Sequence, residues 1–330
     1  VRFPYGETPV VVDDSGQPAR HFALRGGDDA LKVLGINTGR LVWSGYEKKI
    51  EEGAEGEVAF GLTSEAEEDS GPKVFVRTSE TVIDVPAAPV RDVIIGQDAR
   101  WAYVLSGNSQ MTVLSMKDEG PAVYQQLPLT RSSEQVTALA ALQGNISLLV
   151  GDNHGRVAQW FLVRDKHAEV DAFSLQKIRE FTLGDAPVTA IVAEAKRKGF
   201  VAGDEKGRVG YFFTTSERSL GVHQAADAPI RSLAVSARSE GVYVQSDKGA
   251  SFWSMHTEHP DISMKSAWGK VWYESYEEPG YTWQSTSGNS DFEGKMSLVP
   301  LTFGTLKAAF YAMLLAAPLA ICGAMYTAVF

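Results

Sequence analysis

Two histidines in "HTEH", His256 and His259, have the only metal-ligand-like spacing among the six histidines of this chain. A zinc or similar centre also needs a third ligand and partners that orient the imidazoles. Pro260 follows directly, and the plainer expectation is a solvated turn. Three aspartates, Asp152, Asp204 and Asp247, recur in short turns, "GDNHG", "GDEKG" and "SDKG". A ring of carboxylates could hold a cation, but a turn aspartate can also accept hydrogen bonds from its own backbone, and that is the expectation here. No phosphate-cradling loop, zinc-protease helix, serine-nucleophile elbow or dinucleotide fingerprint is present. The sequence therefore assigns no catalytic, cofactor-binding or metal-ligating residue, and any ATP-driven work would need a separate subunit. The acidic run "EKKIEEGAEGE" reads as a solvated loop.

The elements carrying those turns repeat. Segments from Ala87, Ser133, Asp185 and Asp227 each have a short entry followed by Val or Ile, and continue through an apolar strand and a polar turn. A second strand, a tight Asp/Asn/Gly turn and a third strand ending in aromatics follow. Val90, Val136, Val188 and Ile230 mark the repeat at intervals of 46, 52 and 42 residues. A four-stranded propeller blade takes about 40–45 residues, and the longest interval holds the charged insertion "VRDKHAEVDAFSLQK". Alternation in "RVAQWFLV" and "GVYVQS" argues strand rather than helix.

The pattern resembles the WD-repeat propellers with most of the Trp-Asp signature lost. Trp160 and Trp253 take the tryptophan position without the following Asp. Toward the front, "PVVVDDSGQPARHFALRGGDDALKVLGINTGRLVWSG" reads as one or two hairpins, and "GEVAFGLTSE" through "KVFVRTSETVIDV" as a further set. The expected fold is all-β, a propeller-like domain of six or seven blades over residues 1–264, closed by strands from both ends because closure removes sheet edges.

Residues 265–295 change character, becoming rich in Trp, Tyr, Ser, Gly and acids. They read as a linker whose aromatics (Trp268, Trp272, Tyr273, Tyr276, Tyr281, Trp283) either sit at a membrane interface or pack beneath the β domain. Residues 296–330 follow with one transmembrane helix, about 304–328. Residues 308–330 carry no charge, and 23 helical residues reach roughly 35 Å, enough for a bilayer core of about 30 Å. Many small residues, with Gly304 and Gly323 among them, allow close helix packing in lipid. Pro318 sits mid-span, where neighbouring helices can satisfy the freed carbonyl. Gly304, Pro318 and Gly323 are the packing and kink positions singled out.

This end of the chain, "LVPLTFGTLKAAFYAMLLAAPLAICGAMYTAVF", is similar to the second membrane helix of the permease subunit of phosphate-type ABC importers. The matching positions are Pro300, Gly304, Thr305, Leu306, Ala317, Pro318, Leu319, Ile321, Ala324 and Tyr326. Some members carry a large domain inserted between the first two helices. The resemblance implies an inner-membrane location with the β domain on the periplasmic side, and a first helix before Val1. It implies a coupling loop beyond Phe330 and three partners: a second permease subunit, a cytoplasmic ATPase and a solute-binding protein. On this reading the propeller serves as a docking or regulatory platform. A different class also fits, a propeller scaffold anchored in membrane lipid with no transport role. A quinoprotein-type enzyme lacks a cofactor constellation.

Composition narrows the partners further. At a net charge of −10 over 330 residues, the chain lacks the Lys/Arg footprint that nucleic acid demands. Its single cysteine, Cys322, excludes an internal disulfide and CxxC chemistry. The start "VRFPYGETPVVVDD" has neither the basic nor the apolar region of a signal peptide.

Overall fold

The computed structural model describes residues 21–26, 30–37, 40–50, 73–83, 88–117, 120–168, 172–286 and 293–329. The chain divides into two compact units, Val1–Val136 and Thr137–Phe330. Each is built from antiparallel sheets whose strands pair in chain order.

Among the described residues the first unit holds two sheets. One comprises β1 (His21–Gly26), β2 (Ala30–Asn37), β3 (Arg40–Ile50) and β4 (Lys73–Ile83). The other comprises β5 (Val90–Ile95), β6 (Trp101–Ser106), β7 (Gln110–Lys117) and β8 (Gly120–Pro128). Alternate residues turn inward, so Leu34, Leu41, Trp43 and Ile83 meet Val93, Ile95, Ala102, Val104 and Leu114 in a buried layer. The front hairpins thus join into one sheet. Residues 1–20 and 51–72, which include "PVVVDDSGQPAR", most of the acidic run and "GEVAFGLTSE", lie outside the described residues.

In the second unit, β9 (Val136–Ala141) starts one residue before the division and pairs with β10 (Ser147–Asp152). β11 (Arg156–Arg164) and β12 (Phe173–Thr182) complete that sheet. The next sheet is β13 (Val188–Ala193), β14 (Gly199–Asp204), β15 (Arg208–Phe213) and β16 (Arg218–Gln224). The last has three strands, β17 (Ile230–Val235), β18 (Gly241–Ser246) and β19 (Gly249–Ser254). Phe181, Phe200 and Phe212 form the centre of one core, with ring centroids 5.2–5.6 Å apart. Burying each such side chain contributes roughly 1.5–3 kcal/mol.

The repeat is visible in the register. One residue after its first position, the opening strand slips against its partner at Val90/Asp92, Val188/Ala190 and Ile230/Ser232. Trp160, Phe212 and Trp253 each pair with the second residue of the preceding strand, Leu148, Phe200 and Val242. The tryptophan positions read from the sequence are therefore equivalent. The 52-residue interval has a simple cause. β11 and β12 are nine and ten residues long, against six and seven for β15 and β16, and part of the "insertion" is β12 itself.

Successive sheets approach closely where a glycine allows it. A Cβ on Gly203 would lie 2.7 Å from Ile230 Cγ2, and one on Gly151 would lie 2.8 Å from Val188 Cβ. Glycine is required there because the first residue of the next sheet occupies the space of a side chain.

Beyond β19 the chain forms a short helix α1 (Met264–Trp268), capped at both reciprocal positions by Ser263 and Ser266. A two-stranded ribbon follows, β20 (Trp283–Gln284) with β21 (Lys295–Met296), and then α2 (Val299–Val329). Val271 and Tyr273 are buried, and Trp272 meets Phe161 edge-on with centroids 6.1 Å apart. Trp268, Tyr276, Tyr281 and Trp283 are exposed.

Candidate functional site

The turn aspartates occupy two kinds of place. Asp152 ends β10, and its Oδ1 accepts from the backbone N–H of His154 and Arg156 at 2.8 and 3.0 Å, while Arg156 Nε donates to Oδ2 at 2.7 Å. Asp204 repeats this with Lys206, Arg208 and the Arg208 Nε at 3.0, 2.9 and 2.6 Å. Gly155 and Gly207 follow at φ +78° and +83°, a conformation glycine adopts without strain. Asp247 differs. Ser246 ends β18 in the equivalent place, and Asp247 pairs instead with Arg231 through two 2.6 Å hydrogen bonds. These carboxylates hold their own hairpins. His256 and His259 are exposed, and among the described residues no group of three or more His, Cys, Asp or Glu side chains converges.

A denser set of charges lies where a strap, residues 255–286 and 293–298, crosses the second unit. The β13–β14 turn begins it. Glu194 is fully buried and accepts from Arg197 Nε and NH2 at 3.0 and 2.9 Å and from Tyr211 OH at 2.6 Å. Burial first, and then the Glu194 carboxylate, push the Tyr211 phenol up to about 12.

Four residues after Glu194, Lys198 Nζ donates to Glu274 Oε2 at 2.5 Å and to the Gln143 carbonyl at 2.7 Å. Glu274 Oε1 accepts from Ser147 Oγ at 2.5 Å, and Ser147 in turn accepts from Gln159 Nε2 at 2.8 Å. Arg179, buried on β12, donates to the carbonyls of Thr214 and Trp272, and burial lowers its pKa. The strap is thereby fastened to two successive sheets through β10, β12 and the β13–β14 turn.

Glu293 completes the cluster. Among the described residues nothing donates to its Oε1, which is out of contact with solvent, and Thr215 Oγ1 is enclosed in the same way. Burial first, and then the charge of Glu274, push the Glu293 carboxyl up to about 7, against the opposing pull of Lys198 and Arg179. An adjoining cavity of about 270 Å³ is lined in part by Gln143, Lys196, Thr215, His259, Asp261 and Glu293. The arrangement sets one half-buried carboxyl, Glu293, beside a buried ion pair and against a cavity. None of Lys198, Arg179, Glu274 or Glu293 stands in a recognisable motif.

Outer ties hold the strap as well. Ser216 Oγ donates to the Pro260 carbonyl at 2.6 Å, Ser263 Oγ to the Ser216 carbonyl at 2.8 Å, and Lys166 pairs with Glu278 at 2.7 Å. At the far end, Ser297 N and Leu298 N donate to the carbonyls of Thr282 and Ala267 at 3.0 and 2.8 Å. The next residue, Val299, begins α2.

α2 runs 31 residues, starting about a turn before the expected span, with Pro300 in the first turn where its fixed φ suits a helix. It is the one helix among the described residues long and apolar enough to cross a membrane. None of its described residues is buried. Thr305 and Thr327 hydroxyls donate to carbonyls one turn back, at 2.9 Å (Leu301) and 3.1 Å (Gly323), so each satisfies its donor within the helix. Gly304 and Gly323 have nothing within 4 Å of where a Cβ would stand. They lie about 28 Å apart along the axis, and Pro318 lies between them. The helix therefore presents these three positions at separate heights rather than gathering them into one site. No family model matches the chain, and no curated protein matches it.

Proposed function

We propose that this chain is the extracytoplasmic β domain, together with one membrane helix, of a permease of the phosphate-type ABC importers. The observation that carries the reading is α2, a membrane-length helix joined to the β domain by a fastened strap. Its opening residues Pro300, Gly304, Thr305 and Leu306 follow the permease spacing. The successive four-stranded sheets suit a propeller, closed by strands from outside the described residues. On this reading the β domain faces the periplasm and offers a platform to the solute-binding protein. A second permease subunit completes the path in the inner membrane, and a cytoplasmic ATPase drives it.

The test is uptake of radiolabelled phosphate by source cells producing the native protein with Gly304→Leu, combined with purification from the membrane. Loss of uptake with an ATPase subunit still co-purifying supports the permease. Unchanged uptake, and a membrane-extracted protein with no ATPase partner, would establish the anchored scaffold instead.

A further inference from the structure

The strap that joins the last sheet to α2 is held at its centre by charge, and one member of that charge cluster is out of balance. Glu274 has a full set of partners in Lys198 and Ser147. Glu293, on the other run of the strap, lines the same cavity as Lys198, and its Oε1 is out of contact with solvent with no donor among the described residues. Uncharged, Glu293 is tolerated beside Glu274. Ionised, it adds a second carboxylate with one oxygen cut off from water and from donors, where charge is costly.

We propose that the strap is a proton-operated latch on the foot of α2, closed by the Lys198–Glu274 pair and loosened when Glu293 ionises. The groups facing Glu293 come from every side. Lys196, Arg197 and Lys198 belong to the β13–β14 turn, and Arg179 to β12. Thr215 follows β15, and Glu217 beyond it acts on Arg179. His259, Asp261, Tyr273 and Glu274 lie on the strap itself. The cations favour the ionised form, but burial and Glu274 outweigh them, since the carboxyl stands at about 7 against an ordinary 4.5.

The sign follows from linkage. The docked strap binds this proton more tightly than the undocked strap does, so docking is fully supported below about pH 4.5. That support is lost as pH rises to about 7, by roughly tenfold per pH unit in the docking equilibrium, and is constant above. This inference stands whether or not the chain is part of a permease.

Hydrogen exchange of the full chain in detergent micelles, followed by mass spectrometry from pH 5 to 8.5, tests it. Rates are corrected for intrinsic exchange, with β14 amides as the internal reference. Protection at residues 271–276 and 295–298 should fall more than tenfold from pH 5 to 7.5 while β14 holds. Glu293→Gln should remove that pH dependence. Glu274→Gln, which leaves Glu293 in place, should move the midpoint to lower pH. A flat wild-type profile, an unchanged slope in Glu293→Gln, or an unmoved midpoint in Glu274→Gln overturns the latch.

Discussion

Lys198 and Glu274 are 76 residues apart in the chain and 2.5 Å apart in space, with 6 % and 7 % of their side chains exposed. A pair so deeply buried brings little net stability, because desolvation offsets most of the attraction. What it brings is dependence of each charge on the other. Lys198→Met leaves Glu274 buried and uncompensated, and should lower the unfolding free energy of the second unit by about 3–5 kcal/mol. The double variant Lys198→Met/Glu274→Leu should recover most of that loss. Urea denaturation of the two variants, read as a coupling energy, decides the point; equal losses in single and double variants would show that the pair does not act as a unit.

The two kinds of turn aspartate should separate cleanly. Asp204 is wholly buried and accepts three hydrogen bonds, two of them from backbone. Asp204→Ala should cost about 2–3 kcal/mol, in line with buried hydrogen bonds to a charged group. Asp247→Ala, which removes an exposed pairing with Arg231, should leave the urea midpoint where it is. Similar effects at both sites would mean that the Asp204 turn does not hold its hairpin.

Gly203 and Ile230 give a steric prediction. A methyl group on Gly203 would press into the Ile230 side chain at 2.7–3.2 Å, so Gly203→Ala should cost about 1–3 kcal/mol through overpacking. Ile230→Ala removes two of the three contacting carbons, Cγ1 and Cγ2, and in the Gly203→Ala background it should cost less than it does alone. If it only adds to the destabilisation, the close approach is not the cause.

The strand cores were legible because burial on a sheet leaves alternation in the sequence. "RVAQWFLV" became β11, and the spacing of Val90, Val136, Val188 and Ile230 marked the start of four sheets. The closing strands β8 and β16 were not legible, since "GPAVYQQLP" and "RSLGVHQ" are largely exposed and carry no such signature. Asp247 was matched with Asp152 and Asp204 by residue type, whereas the register places Ser246 there. The charge cluster was beyond reach for a different reason. Arg179 meets Trp272, and Lys198 meets Glu274, only through folding that joins residues 93 and 76 positions apart. An ion pair leaves no periodic mark.

α2 can be tested at its middle. Leu315→Arg sets a charge at mid-span, which costs about 2.5–3.5 kcal/mol on the insertion scale. The native protein should stay with the membrane through alkaline carbonate extraction, and the variant should move substantially into the soluble fraction. Release of the native protein under the same treatment would show that α2 does not span.

The bonds from Ser297 and Leu298 end immediately before α2 begins, which makes the helix answer to the sheets in azimuth as well as position. Each residue added or removed between Leu298 and the span turns every later side chain by about 100° around the axis. A single deletion there would leave composition and length nearly untouched while rotating Gly304 and Gly323 to face a different neighbour. The joint between strap and helix is thus a phase setting, and small changes in chain length at that point would act as changes of face.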